Sequence, residues 1–131
     1  VGQVALDVEA TEALLDEGLA VAADEAHRPE HSVEVHLPFL VEVLGPVSVV
    51  PLVVGRCPPA AVAEALGRLW GDDETLLVVS SDLSHYLDDA AARARDGRTR
   101  RAILEGRGAD IGPYDACGCV PVAGLMLNPQ A

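Results

Sequence analysis

This sequence predicts an α/β domain with a largely parallel sheet flanked by helices. Three observations carry that expectation. Val47–Val54 is a β-branched run closed by Gly45-Pro46 on one side and Gly55 on the other. Thr75–Val79 is a second short apolar run. Stretches with helical spacing separate and flank the two. Short apolar runs bounded by turn residues read as buried strands, and strands alternating with helices of this length favour parallel pairing.

The elements follow in order. Asp7 can cap a helix over Val8–Leu19, with Leu14, Leu15 and Leu19 on one side. The segment then becomes more polar, and Arg28-Pro29 interrupts it. In Ser32–Leu44 the apolar positions Val33, Leu37, Leu40, Val41 and Leu44 recur at helical spacing. Pro38 falls inside that pattern and implies a kink or a late start near Leu37. Gly45-Pro46 ends it. Pro58-Pro59 opens a helix reaching Leu69, because proline is tolerated in a first turn. Gly71-Asp72-Asp73 reads as a turn. Asp88–Glu105 is a charged helix that Gly97 could break, and Val120–Leu127 is a last apolar helix.

Composition narrows the function classes. The 131 residues amount to one domain, and a formal net charge of −12 would repel a nucleic-acid backbone or an anionic membrane. Aromatic residues, 3% of the chain, are too few for base-stacking surfaces. No apolar run reaches the ~18 residues a membrane span requires. All nine basic residues are arginine. With the excess of Ala, Val, Gly and Asp, this resembles coding bias and does not mark the arginines as chosen for bidentate contacts. Three cysteines and no visible secretory signal favour a reducing cytoplasm. The start on Val1, without Met, suggests a fragment of a longer protein.

Three stretches carry the chemistry. Glu30-His31-Ser32-Val33-Glu34-Val35-His36 sets two histidines and two carboxylates before the apolar patch Leu37-Pro38-Phe39-Leu40. On a helix, His31 and His36 would lie about 140° apart, too far to share a metal. His31, beside Glu30, is the better site candidate; His36 reads as a satisfied, half-buried histidine. Ser80-Ser81-Asp82-Leu83-Ser84-His85-Tyr86 follows the second apolar run, where α/β proteins place ligands. Asp82 can orient the His85 imidazole, share a metal with it, or cap the next helix. Asp115-Ala116-Cys117-Gly118-Cys119 contains a C-x-C, weak evidence for zinc. Taken alone, Cys57, Cys117 and Cys119 read as small buried residues, and His27 as a solvated loop histidine.

Taken together, these stretches resemble the Memo-like family, also called AmmeMemoRadiSam system protein B. The similarity rests on Glu30–Val35 with Leu37–Leu40, on Pro51-Leu52-Val53-Val54-Gly55, on Ser80–Tyr86 and on Ala116-Cys117-Gly118. That family is similar to the LigB-type class III extradiol dioxygenases, α/β enzymes that open catechol rings with non-haem iron(II). The resemblance implies one Memo-like domain over residues 1–131, with its N-terminal portion, and the family's other metal histidines, missing from this sequence. It implies a pocket for iron(II) or copper in which Cys117 is a ligand. His85, His31 and Asp82 would be the catalytic groups, with Glu30 and Ser81 beside them. Extradiol-type oxidoreductase chemistry is one expectation. Another is a non-catalytic metal- or peptide-binding partner of a radical SAM protein and an AMMECR1-like protein, and a third is an inactive fragment.

Overall fold

The computed structural model describes residues 3–71 and 74–129. Asp72 and Asp73, and so the turn expected there, lie outside them. The chain divides into two compact units, Val1–Gly55 and Arg56–Ala131.

The first unit begins with strand β1 (Ala5–Leu6), which pairs in parallel with β2 (Ser48–Val49) in the register Ala5 opposite Ser48 and Leu6 opposite Val49. Asp7 extends the pairing by donating its N–H to Val49 O at 3.0 Å. The Asp7 carboxylate then caps α1 (Val8–Asp16) by accepting from Ala10 N at 3.0 Å. Helix α1 ends three residues earlier than its apolar pattern, which continues to Leu19. Gly18, at φ 69°, reverses the chain, so that Leu19 N–H reaches Leu14 O and Gly18 N–H reaches Leu15 O. This pair of bonds satisfies the last carbonyls of α1. Leu14, 1% exposed, anchors the helix.

A short helix α2 (Asp24–His27) follows, and His27 is half-buried rather than in a solvated loop. Helix α3 (Leu37–Leu44) starts late, as Pro38 requires: proline fits the first turn, where its missing N–H has no carbonyl to meet. Gly45, at φ 80°, closes α3.

The second unit is helical among the described residues: α4 (Pro59–Leu69), α5 (Asp89–Leu104), a 3-10 turn (Gly108–Asp110) and α6 (Cys119–Leu127). Asp88 caps α5 by accepting from Ala91 N at 2.9 Å, and Gly97 does not break the helix. Ala102, Ile111, Ala116 and Cys119 form a small core, with Leu83, Val120 and Val122 against it. Helices α4 and α6 approach closely at Gly124, where an added Cβ would lie 2.6 Å from Val62 Cβ and 2.9 Å from Pro59 O.

The expected sheet is corrected in extent. Of Val47–Val54 only Ser48–Val49 is paired, and Thr75–Val79 forms no strand. A β-branched run becomes a strand only where a neighbour accepts its backbone bonds. Among the described residues that neighbour is the two-residue β1. The structure is thus α-rich with one two-stranded parallel sheet. No helix among the described residues is long and apolar enough to cross a membrane.

The α4–α6 contact yields a stability test. Gly124→Ala is expected to lower unfolding stability by about 1–3 kcal/mol, the usual cost of overpacking. Denaturant melts of the parent, Gly124→Ala and Gly124→Ala with Val62→Ala check this, the second change recovering part of the loss.

Candidate functional site

The strongest convergence of chemical groups lies in the second unit, where residues 80–86 meet residues 115–119. Cys117 N donates to Asp82 O at 3.1 Å. In return, Asp82 N donates to Cys117 Sγ at 3.1 Å. Residues 35 positions apart are thereby locked backbone to side chain. Ser81 completes the clasp. Its hydroxyl accepts from Gly118 N at 2.9 Å and donates to Asp82 O at 2.8 Å, while lying 3.7 Å from Cys117 Sγ. Gly118 permits the approach: a Cβ there would lie 2.7 Å from Ser81 Cβ and 2.8 Å from Ser80 O.

Cys117 is exposed, whereas Cys119 is buried in the core and Cys57 is intermediate. The buried-core reading therefore holds for Cys119 and fails for Cys117, whose sulfur is turned toward Asp82 N. Asp82 does not cap the following helix, since Asp88 does. Its carboxylate instead faces the imidazole, with His85 Nε2 3.4 Å from Asp82 Oδ2. Both side chains are largely exposed, so the pair orients the ring more than it stabilises the fold.

Two features of this turn had no sequence signal. Tyr86 adopts φ 58° and is fully exposed, its ring 5.9 Å from that of His85. Left-handed backbone is costly for a side chain with a Cβ and bulk beyond it. Asp96, on α5, holds the turn from below by accepting from Ser84 N at 3.0 Å. The Ser84 hydroxyl and this N–H together keep the Asp96 carboxyl below its ordinary range. Ser84 Oγ is buried and completes no hydrogen bond of good geometry, so it acts on the carboxylate as a nearby dipole.

Glu30 and His31 belong to the first unit. Glu30 Oε1 accepts from His31 N at 2.8 Å and Ser32 N at 2.9 Å. These bonds, the Ser32 one foremost, hold its carboxyl below the usual value. The carboxylate fixes the turn that leads into α3. His31 Nδ1 lies 3.9 Å from it with the ring exposed. His36 is satisfied through Nδ1, 2.6 Å from Ser32 O, as expected of a half-buried histidine.

The structure thus brings Ser81, Asp82, His85 and Cys117 together, and pairs Glu30 with His31. Among the described residues, no three His, Cys, Asp or Glu side chains group so as to hold a metal ion. The described residues do not by themselves fit a metal.

The Memo-like protein family model matches residues 1–114. That match stops short of Cys117, which enters the site on its geometry. A MEMO1 family protein of Thermotoga petrophila is 35% identical over 107 residues, covering 78% of this chain and 39% of that protein. One from Archaeoglobus fulgidus is 36% identical, covering 79% and 41%. One from Aeropyrum pernix is 32% identical, covering 95% and 49%. The chain spans less than half the length of these relatives. No solved structure matches it.

Two outcomes follow from the clasp. Gly118→Ala is expected to force the two segments apart, and amide hydrogen exchange at positions 82 and 118 then speeds up while α4 keeps its protection. Asp96→Asn is expected to destabilise at neutral pH. A carboxyl lowered in the folded state contributes stability above the ordinary carboxylate range and loses it as pH falls through the folded value. The stability gap between Asp96→Asn and the parent should therefore close below about pH 4, as followed by denaturant melts across pH.

Proposed function

From the premise that this chain belongs to the Memo-like family, we propose that the Cys117 clasp is the sulfur-bearing wall of an iron or copper pocket, serving oxidoreductase chemistry of the extradiol type. The remaining ligands come from outside the described residues. One observation supports the reading above others: the sulfur of an exposed cysteine is held by a backbone N–H from a turn that also carries an Asp–His pair. Cysteine is a soft ligand suited to copper(I) and iron, and hydrogen bonds to sulfur tune such centres.

Each residue has a role the geometry allows. Ser81 and Gly118 fix the sulfur's position. Asp82 aims the imidazole, and His85 is the proton carrier, since imidazole exchanges protons near neutral pH. His31 lies in the first unit, where Glu30 holds its turn.

A second reading is a non-catalytic, peptide-binding partner of a radical SAM protein and an AMMECR1-like protein. Phe39 and Val43 favour it: they stand four apart on α3, 72% and 78% exposed, and so share one helix face.

Copper(I) and iron(II) titrations of the chain extended N-terminally toward the length of its relatives, as parent, Cys117→Ala and Cys57→Ala, test the pocket. The expected result is uptake of one metal that Cys117→Ala removes and Cys57→Ala leaves unchanged. Equal uptake by all three, or none by any, overturns the pocket reading. Oxygen consumption with a catechol, abolished by Cys117→Ala, tests the chemistry.

A further inference from the structure

Six of the nine arginines fall between residues 93 and 107 of a chain with net charge −12. Compositional bias accounts for arginine in place of lysine, but not for this clustering. The fold turns it into a hollow. Helix α5 ends at Leu104, and Gly106, at φ 66°, reverses the chain. Arg107 N–H then reaches back to Ala102 O at 2.8 Å, and Gly106 N–H to Ile103 O at 3.1 Å. This C-terminal cap folds Arg107 against the face of α5 that carries Arg98 and Arg101, three residues apart and neighbours on the helix surface. The three arginines line an open hollow of about 290 Å³ together with Thr99, Asp110 and Asp115.

The carboxylates around this cavity are already engaged. Asp110 pairs with Arg107, and Glu105 Oε2 accepts from the same guanidinium at 2.7 Å. Those contacts, Glu105 first, hold Arg107 firmly protonated. Asp115 Oδ2 accepts from Gly112 N at 3.0 Å, and its Oδ1 lies 3.7 Å from Arg95 Nε. Arg98 spends one N–H on Ala94 O at 3.2 Å, within its own helix. Among the described residues, neither Arg98 nor Arg101 meets a carboxylate. Two guanidinium groups on adjacent turns, beside a third held rigidly by its acid partners, leave several N–H donors for an incoming oxoanion. Arginine suits that task, because its planar fork matches phosphate and carboxylate geometry.

We propose that this hollow binds a small dianion, a phosphate group or a dicarboxylate, with Arg98 and Arg101 as the charge-bearing donors and Arg107 as the fixed wall. The hollow borders the segment of the Cys117 clasp through Asp115 but uses none of its sulfur chemistry. The volume, near the lower end of small-molecule pockets, suits one compact anion.

Isothermal titration of the 131-residue chain with inorganic phosphate tests this, at ionic strength held constant with chloride. A parallel titration with malonate tells a dicarboxylate from a phosphate. Saturable one-site binding is expected for at least one of the two. Arg98→Gln and Arg101→Gln should each weaken it roughly tenfold, as loss of a charge-assisted bond implies. Arg56→Gln, outside the hollow, should leave it unchanged. Both substituted positions are exposed, so circular dichroism should show the parent fold. Should either variant fail to fold, amide chemical shifts of the parent chain decide, with phosphate-induced changes expected at residues 98–107. No saturation above the chloride control, an equal loss in Arg56→Gln, or shifts spread over the whole chain would overturn the proposal.

Discussion

Helix α6 approaches its neighbours backbone to side chain, and small residues make that possible. At Gly124 it lies against Val62 and Pro59, at Ala123 against Gly108, and at its entry Gly118 lies against Ser80 and Ser81. Added Cβ atoms at the three glycines would meet their neighbours at 2.6–2.7 Å. Interiors packed at crystal-like density do not yield to such overlap without backbone movement. The position of Cys117, two residues before α6, is therefore set by how tightly α6 can be placed. A larger side chain at Gly118 would separate the sulfur from the Asp82 N–H long before it unfolded the chain.

The longer helices were legible in the sequence because their signals are local. Asp7 and Asp88 cap the helices they precede, Pro59 opens α4, and Pro38 delays α3 to Leu37. The sheet was not legible to the same degree. Val47–Val54 has strand composition throughout, yet only two of its residues find a ladder partner, and that partner, Ala5–Leu6, is too short to show a period. Periodicity reports which residues seek burial. It does not report whether another backbone is there to accept their bonds.

The site divides along the same line. Residue type and position singled out Asp82 and His85, whereas Cys117 and Ser81 entered through the family resemblance. The contact between Asp82 N and Cys117 Sγ spans 35 residues and uses a backbone group, so no spacing could announce it. Asp96 went unnoticed for a related reason. It sits mid-helix among charged residues, and only the turn docked on it shows that its carboxylate receives Ser84 N–H. Glu30 shows the converse. A carboxylate beside a histidine looks like site chemistry, yet its oxygen is occupied by two backbone N–H groups.

Helix α5 joins the two regions of interest through the distribution of its charges. It buries little, only Thr99 and Ala102, so packing alone leaves most of its surface to electrostatics. Its first half offers Asp96 to the turn that carries Asp82 and His85. Its second half offers Arg98 and Arg101 to a hollow whose carboxylates are already paired. Exposed pairs such as Arg93 with Asp89 add little to stability, and a helix stabilised only by such pairs could exchange its charges freely. The acid that clasps a backbone N–H and the arginines that meet no carboxylate are different. Each is placed where its charge acts on something beyond its own helix, which is why their positions, more than their number, carry the functional reading.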